Sequence, residues 1–275
     1  MEKLNLYFYR RRDGKNNFGD DLSPLLINHL LKCDVQKKSM LNADLIGIGS
    51  ILSYWSNNWR ASQRKILDTV FRRPAPAIWG SGLIAPRPLI MPDFDILALR
   101  GPLTRSYVAT DSDIAFGDPG ILASMVVQAS SKSGLIGVVP HYVDKLSPII
   151  RELASLDGFK IIDVEGDCIE VIQSISECDL ILSSSLHGLI TADSFGIPNA
   201  RIKLSDKVGG GDFKFTDYCL GMGRKPTSTN IIKRLDDVFH TIEVLKLQGN
   251  EISSGKLEDT QGTLVERLIM WAKNR

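Results

Sequence analysis

The sequence predicts an α/β protein made of two doubly wound parallel-sheet domains that face each other, followed by a C-terminal helical segment. Three observations carry this. Short apolar runs repeatedly end in a glycine or polar turn and then pass into a helical pattern, the mark of parallel βαβ units. The small, polar stretch Ala129-Ser130-Ser131-Lys132-Ser133-Gly134 reads as a linker, and the alternation restarts after it. The 275 residues, 43% of them hydrophobic, suffice for two modest domains with real cores. The expected division is 1–130, 131–250 and a terminal helix in 251–275 that could pack back on the first domain.

The elements follow in order. Residues 4–9 read as the first strand, and Asn16-Asn17-Phe18-Gly19-Asp20 as a polar turn. Ser23 can cap a helix with Pro24 at its first position, running through Leu25, Leu26 and Leu30. Leu45-Ile46-Gly47-Ile48 is a strand ending in Gly49-Ser50. Ala77-Ile78-Trp79 is another, ending in Gly80-Ser81-Gly82. Ile96-Leu97-Ala98-Leu99 ends in Arg100-Gly101-Pro102. After the linker, strand 135–139 leads into Pro140-His141-Tyr142 and a helix near 143–156. Strand 160–163, a helix near 168–176 and strand Leu180-Ile181-Leu182 come next. The helix of His187 and strand Ala200-Arg201-Ile202 complete the second unit. Beyond Gly211 a helical pattern covers 231–247 and a loop 249–255. An amphipathic helix at 263–273 then carries Leu264, Leu268 and Trp271 on one face.

Composition excludes several classes. A net charge of +1 provides no basic excess for a nucleic-acid partner. No run of about twenty apolar residues can span a membrane. Arg10-Arg11-Arg12 follows the first apolar run, the wrong order for a secretory signal, so a cytoplasmic location is expected. Cys33, Cys168, Cys178 and Cys219 are widely spaced and form no CxxC pair. They read as reduced core residues, and no metal site is expected.

The chemistry gathers at strand ends, where open α/β sheets bind ligands. Ser183-Ser184-Ser185-Leu186-His187-Gly188 joins a buried strand to a helix that Gly196 and Pro198 terminate. Helix-start N–H groups favour an anion, and His187 could bind or protonate it; a capping serine cluster beside a structural histidine is the plainer reading. Arg100 could grip a phosphate or carboxylate through its planar fork, or pair with Asp111 or Asp113 at the surface. His141 is a second acid–base candidate. His29 reads as structural, His240 as surface, and Arg105 as solvated or structural. Val208-Gly209-Gly210-Gly211-Asp212 is a loop whose N–H groups can close on an oxyanion, with Lys203, Lys207 and Lys214 around it; a hinge is the alternative. Gly117-Asp118-Pro119-Gly120 reads as a turn opening a helix. Asn17, Asp20, Ser50 and Ser81 complete the set in the first half.

In this order, Asn17-Phe18-Gly19-Asp20-Asp21, Trp79-Gly80-Ser81-Gly82, Leu99-Arg100-Gly101-Pro102-Leu103-Thr104, Gly117-Asp118-Pro119, Val139-Pro140-His141-Tyr142, the 183–196 stretch and Gly210-Gly211-Asp212-Phe213-Lys214-Phe215 resemble the polysaccharide pyruvyl transferase family. The resemblance covers about residues 4–225. It implies two Rossmann-like domains facing each other in the GT-B manner, with the first on the acceptor side and the second on the donor side. It implies phosphoenolpyruvate as donor and co-substrate, with no other cofactor. The implied acceptor is a sugar with two nearby hydroxyls, carried on an exopolysaccharide or lipid-linked repeat unit. The products would be a cyclic pyruvate ketal and phosphate.

The family's donor-binding arginine and catalytic histidine map onto Arg100 and His187. Many members carry an arginine two residues before that histidine, where this chain has Ser185. Arg100 or the lysines of the glycine loop would then hold more of the donor's charge. On this reading His187 is the general acid, with Asp20 or His141 as base. Arg100, Ser183, Ser184, Ser185, Lys214, Gly210 and Gly211 hold the donor, and Asn17, Ser50 and Ser81 the acceptor. A lipid-linked acceptor would bring the protein to the inner face of the membrane. The alternatives are a nucleotide-sugar glycosyltransferase on the same scaffold and an inactive glycan-binding relative.

Overall fold

The computed structural model describes residues 3–56, 58–71, 74–90, 93–109, 113–226, 229–249 and 252–275. The first half contains β1 (Lys3–Tyr7), α1 (Phe18–Leu31), β2 (Asp34–Lys37), β3 (Leu45–Ile46) and α2 (Asn58–Phe71). It continues with β4 (Ala77–Ser81), β5 (Asp95–Leu99), α3 (Pro102–Arg105), β6 (Ala115–Phe116), a 3-10 turn (Pro119–Leu122) and α4 (Ala123–Val126). The second half contains β7 (Ile136–Val139), α5 (Pro148–Ala154), β8 (Phe159–Ile161), α6 (Cys168–Ser176), β9 (Leu180–Ser183) and α7 (Leu186–Ser194). It ends with β10 (Asn199–Lys203), α8 (Phe213–Gly221), β11 (Asn230–Ile231), α9 (Leu235–Gln248) and α10 (Ser254–Lys273).

The strands form two parallel sheets, ordered β2-β1-β3-β4-β5-β6 and β11-β10-β9-β7-β8. Both are doubly wound. The strand order reverses between β1 and β3 in one and between β7 and β9 in the other, so a ligand crevice is expected outside the carboxyl ends there. β4 and β9 are buried along their whole length, as strands covered by helices on both faces must be. α6 starts at Asp167, whose carboxylate accepts from the N–H groups of Ile169 and Glu170.

The two halves share one core at their junction. Phe18, Leu22 and Ile121 of the first sheet's helices join a single apolar cluster with Val164, Leu186, Ile190, Tyr218 and Met222 of the second. Residues 129–134 cross between the sheets along the end of α6, where Lys132 Nζ donates to Cys178 O at 2.7 Å. α10 lies across the first sheet: Trp79 Nε1 donates to Leu264 O at 3.0 Å, and Arg267 bonds Leu97 O and Asp113. No helix among the described residues is long and apolar enough to cross a membrane.

Several boundaries differ from expectation. The first helix starts at Phe18, not after Ser23, because Asn17 takes the extended N-cap conformation. Ser23 instead turns inward, and its hydroxyl accepts from Ile48 N at 2.7 Å. Pro24 therefore sits inside α1 and has no N–H to donate to the Asp20 carbonyl. The helix expected over 143–156 is confined to α5, because Asp144 N bonds back to His141 O at 2.7 Å in a preceding turn. α10 begins at Ser254, nine residues before the expected Thr263, with Ser253 as its cap.

Leu264 of α10 is fully buried against the first sheet, whereas Leu247 of α9 is 86% exposed. Urea unfolding should show Leu264→Ala losing about 2–5 kcal/mol and Leu247→Ala staying within about 0.5 kcal/mol of the parent.

Candidate active site

The carboxyl ends of both sheets meet, and the first turns of α1 and α7 touch. His187 lies in the first turn of α7 directly over Gly19 of α1: a Cβ at position 19 would fall 2.0 Å from His187 Nδ1. On its other edge, His187 Nε2 stands 3.6 Å from Asp118 Oδ2. That is too long for a hydrogen bond, and both atoms are buried without a partner among the described residues. Asp118 is held by its other oxygen, which accepts from Gly120 N at 3.0 Å. An imidazole and a carboxylate thus aim unused hydrogen-bonding capacity at one point.

Three further ionisable groups surround this contact. Asp20 is buried in the first turn of α1, where Asn17 Nδ2 donates to it. Burial raises its pKa to about 6, against the opposing pull of Asn17, His187 and Lys214. Lys214, buried on α8, is lowered to about 8 by burial and by the charges of Arg100 and Arg201, with Asp20 pulling the other way. His141 is lowered to about 4 by burial and then by Lys214, Arg11 and His187. It is therefore neutral near pH 7. Its Nδ1 accepts from Val143 N at 3.4 Å, which leaves the proton on Nε2. His141 is set up to donate a hydrogen bond rather than to act as the base. Its ring packs 4.3 Å from that of Tyr142, over which Arg11 stacks at 3.9 Å.

Other expected site residues are engaged elsewhere. Arg100 is fully buried. Its Nε donates to Asp217 Oδ2 at 3.1 Å, Nη1 to Ser50 Oγ at 2.7 Å and Nη2 to Leu83 O at 2.5 Å. It therefore holds the two halves together instead of presenting a fork to a donor. Of its two expected surface partners, Asp113 pairs with Arg267, and Asp111 lies outside the described residues. Ser81 is buried and donates to Gly49 O at 3.0 Å, so it faces no acceptor. Ser183, the last residue of β9, is buried, with its hydroxyl within hydrogen-bond reach of Val139 O on β7 and of Ser185 O. Ser50 is half-buried beside Arg100. Ser185 takes the N-cap of α7 without a side-chain capping bond.

Ser184, Gly210 and Gly211 do line a cavity of about 250 Å³, with Arg201, Lys203 and Ser205. Ser184 also ties the cavity to the junction, since its hydroxyl accepts from His141 N at 2.8 Å and donates to Asp144. His29 is half-buried and His240 exposed. The four cysteines are unpaired, three of them buried. No group of three or more His, Cys, Asp or Glu among the described residues could hold a metal ion.

Residues 3–205 match the family model of polysaccharide pyruvyl transferases. The chain belongs to that family. It is 27% identical over 233 residues to the succinoglycan biosynthesis protein ExoV of Rhizobium meliloti (strain 1021), covering 81% of this chain and 68% of that protein. An uncharacterized protein of Acanthamoeba polyphaga mimivirus is 32% identical over 153 residues, covering 51% of this chain and 53% of that one. Among solved structures, a Listeria monocytogenes protein assigned as a UDP-N-acetylglucosamine 2-epimerase superposes with a TM-score of 0.52 at 10% identity. It covers 98% of this chain and 94% of its own. That likeness shows the fold, two facing α/β halves of GT-B type.

Asp118 beside His187 and Arg201 in the cavity wall are two polar groups that the sequence underplayed. Asp118 reads as an ordinary Asp-Pro-Gly turn, and nothing local reveals that its free oxygen meets His187. Arg201 sits between apolar neighbours in a strand, an unusual place for a charge and the one available signal.

Gly19→Ala should force His187 out of place and lower kcat/KM at least ~100-fold. Gly262→Ala, where a Cβ meets nothing within 4 Å on exposed α10, should leave turnover unchanged. Steady-state kinetics on the two variants compares them.

Proposed function

We propose that this family member transfers the pyruvyl group of phosphoenolpyruvate to two hydroxyls of a sugar in an exopolysaccharide repeat unit, closing a cyclic ketal and releasing phosphate. The observation that carries the reading is the junction of His187, Asp20, Asp118 and Lys214, built from both halves of a pyruvyl transferase.

Protonation of the donor's methylene carbon makes C2 an oxocarbenium-like electrophile. His187 is the acid, with an Asp118 carboxylate oxygen 3.6 Å from its Nε2. One sugar hydroxyl adds to C2 and phosphate leaves. The second hydroxyl then closes the ring. Asp20 takes the first hydroxyl's proton and passes it to the departing phosphate, then takes the second hydroxyl's proton as the ring closes; a carboxylate with pKa about 6 is ionised near pH 7 yet more basic than an exposed one. Lys214 holds donor anionic charge, and His141 donates a hydrogen bond from Nε2. Ser184, Ser185, Gly210 and Gly211 frame the donor's side, while Asn17 stands toward the acceptor. Arg100 acts at one remove, by fixing α8 and hence Lys214.

The acceptor in this reading is lipid-linked and meets the enzyme at the inner membrane face. Ile66 and Val70, one turn apart on α2 and both more than half exposed, are consistent with peripheral contact.

Incubation with phosphoenolpyruvate and candidate glycans should release phosphate and give a ketal methyl signal by NMR. His187→Ala should lower kcat by ~10²–10⁴-fold. Turnover of a nucleotide sugar in place of phosphoenolpyruvate would overturn the reading.

The pH profile of kcat/KM should be bell-shaped. Asp20 must be ionised, so activity falls below about pH 6. Lys214 must be protonated, so activity falls above about pH 8. Lys214→Gln should raise KM for phosphoenolpyruvate roughly tenfold or more while Lys214→Arg stays near the parent, and an unchanged KM in Lys214→Gln would remove Lys214 from the site.

A further inference from the structure

We propose that Arg201 grips the phosphate of the donor in the cavity beneath the 209–211 loop, and that Asp212 holds the same guanidinium edge as a carboxylate latch. This rests on the phosphoenolpyruvate reading and adds to it a binding group and a loop contact.

Arg201 lies on β10 in register with Ser183 of β9, so it stands at the carboxyl end of the sheet beside the start of α7. It is only 6% exposed. Its guanidinium stacks 3.8 Å over the Phe215 ring, which fixes the plane. Nη2 donates to Asp212 Oδ1 at 2.6 Å and reaches Gly211 O at 3.5 Å. Nε and Nη1 bond to nothing among the described residues. A guanidinium has five N–H donors in a rigid fork, and those not on Asp212 or Gly211 are left for a ligand in the cavity that Arg201 lines. A phosphate ester matches that fork with two parallel bonds.

The cavity wall suits such an anion. Gly210 and Gly211 are consecutive glycines with φ of +84° and +50°, a backbone that L side chains rarely adopt. At Gly210 a side chain is also excluded by space, since a Cβ would fall 2.3 Å from Ile84 O. Ser184, Ser205 and Lys203 add polar groups.

The carboxylates now facing the cations lie outward. Asp212 is 67% exposed and pairs with Arg201, while Asp206 is 94% exposed and pairs with Lys203. Both can return to water at little cost, whereas Arg201 cannot. The cavity also adjoins the reacting groups. Ser184 links it to His141, and Lys214 feels Arg201 on one side and Asp20 on the other. One small dianion can place its phosphate on Arg201 and its enol carbon toward His187.

Calorimetric titration with inorganic phosphate reads the subsite without turnover. Arg201→Gln should weaken phosphate roughly tenfold or more and raise KM for phosphoenolpyruvate in parallel, with KM for the glycan unchanged. Asp212→Asn removes the competing carboxylate at an exposed position and should tighten phosphate about threefold or more, a gain that misfolding cannot produce. The proposal is overturned if Arg201→Gln leaves phosphate affinity unchanged, if it raises the glycan's KM instead of the donor's, or if Asp212→Asn weakens phosphate. Wild-type turnover of phosphoenolpyruvate is scored separately. Its absence defeats the functional reading, whereas turnover with unresponsive variants defeats the subsite alone.

Discussion

The Arg100–Asp217 pair is the contact on which the arrangement of the site depends. It joins the end of β5 in the first sheet to α8 in the second half, and both side chains are fully buried. A buried ion pair is tolerable only if its remaining hydrogen-bonding capacity is met. Here it is. Asp217 accepts from Thr104 N, Thr104 Oγ1 and Arg100 Nε, and Arg100 also reaches Ser50 and Leu83 O. The backbones approach so closely that a Cβ at Gly101 would fall 1.9 Å from Asp217 O, and one at Gly221 would fall 2.4 Å from Arg100 O. Lys214, one turn earlier on α8, is thereby held within electrostatic reach of Asp20. Loss of either charged partner would leave the other buried and unpaired, a penalty of about 3–5 kcal/mol.

A second set of contacts closes the opposite side of the junction. Phe18 N donates to Val164 O at 2.8 Å, and Arg11 and Lys145 converge on Glu165. Between the two sets sit Gly19 and His187, packed without room for a methyl group. His187 comes from the second half, while Asp118 and Asp20 come from the first. Neither sheet holds a complete site. The apolar core runs continuously through the junction and holds the docking at the fixed geometry that the proposed proton transfers require.

Much of this was legible in the sequence where the signal is local. Buried parallel strands read as apolar runs, and the polar groups after them fall at the carboxyl ends, so the sequence alone puts His187, Asp20, His141 and Ser184 at that end of the sheets. Edge strands β6 and β11, of two residues each, are too short for periodicity to register. The roles of individual polar groups were less legible, because a hydroxyl or guanidinium looks the same whether it faces a ligand or a carbonyl. Ser81 and Ser183 are taken up by neighbouring backbone, and Arg100 by an aspartate more than a hundred residues away. Arg201 is the converse case, a charge hidden in a strand that the fold turns toward a cavity.

The most direct measurement is a crystal structure with phosphoenolpyruvate bound. The account predicts that Arg100 remains paired with Asp217, that the donor's phosphate lies within hydrogen-bond reach of Arg201, and that its methylene carbon faces His187. A donor held by Arg100, with Asp217 released and α8 displaced, would contradict it.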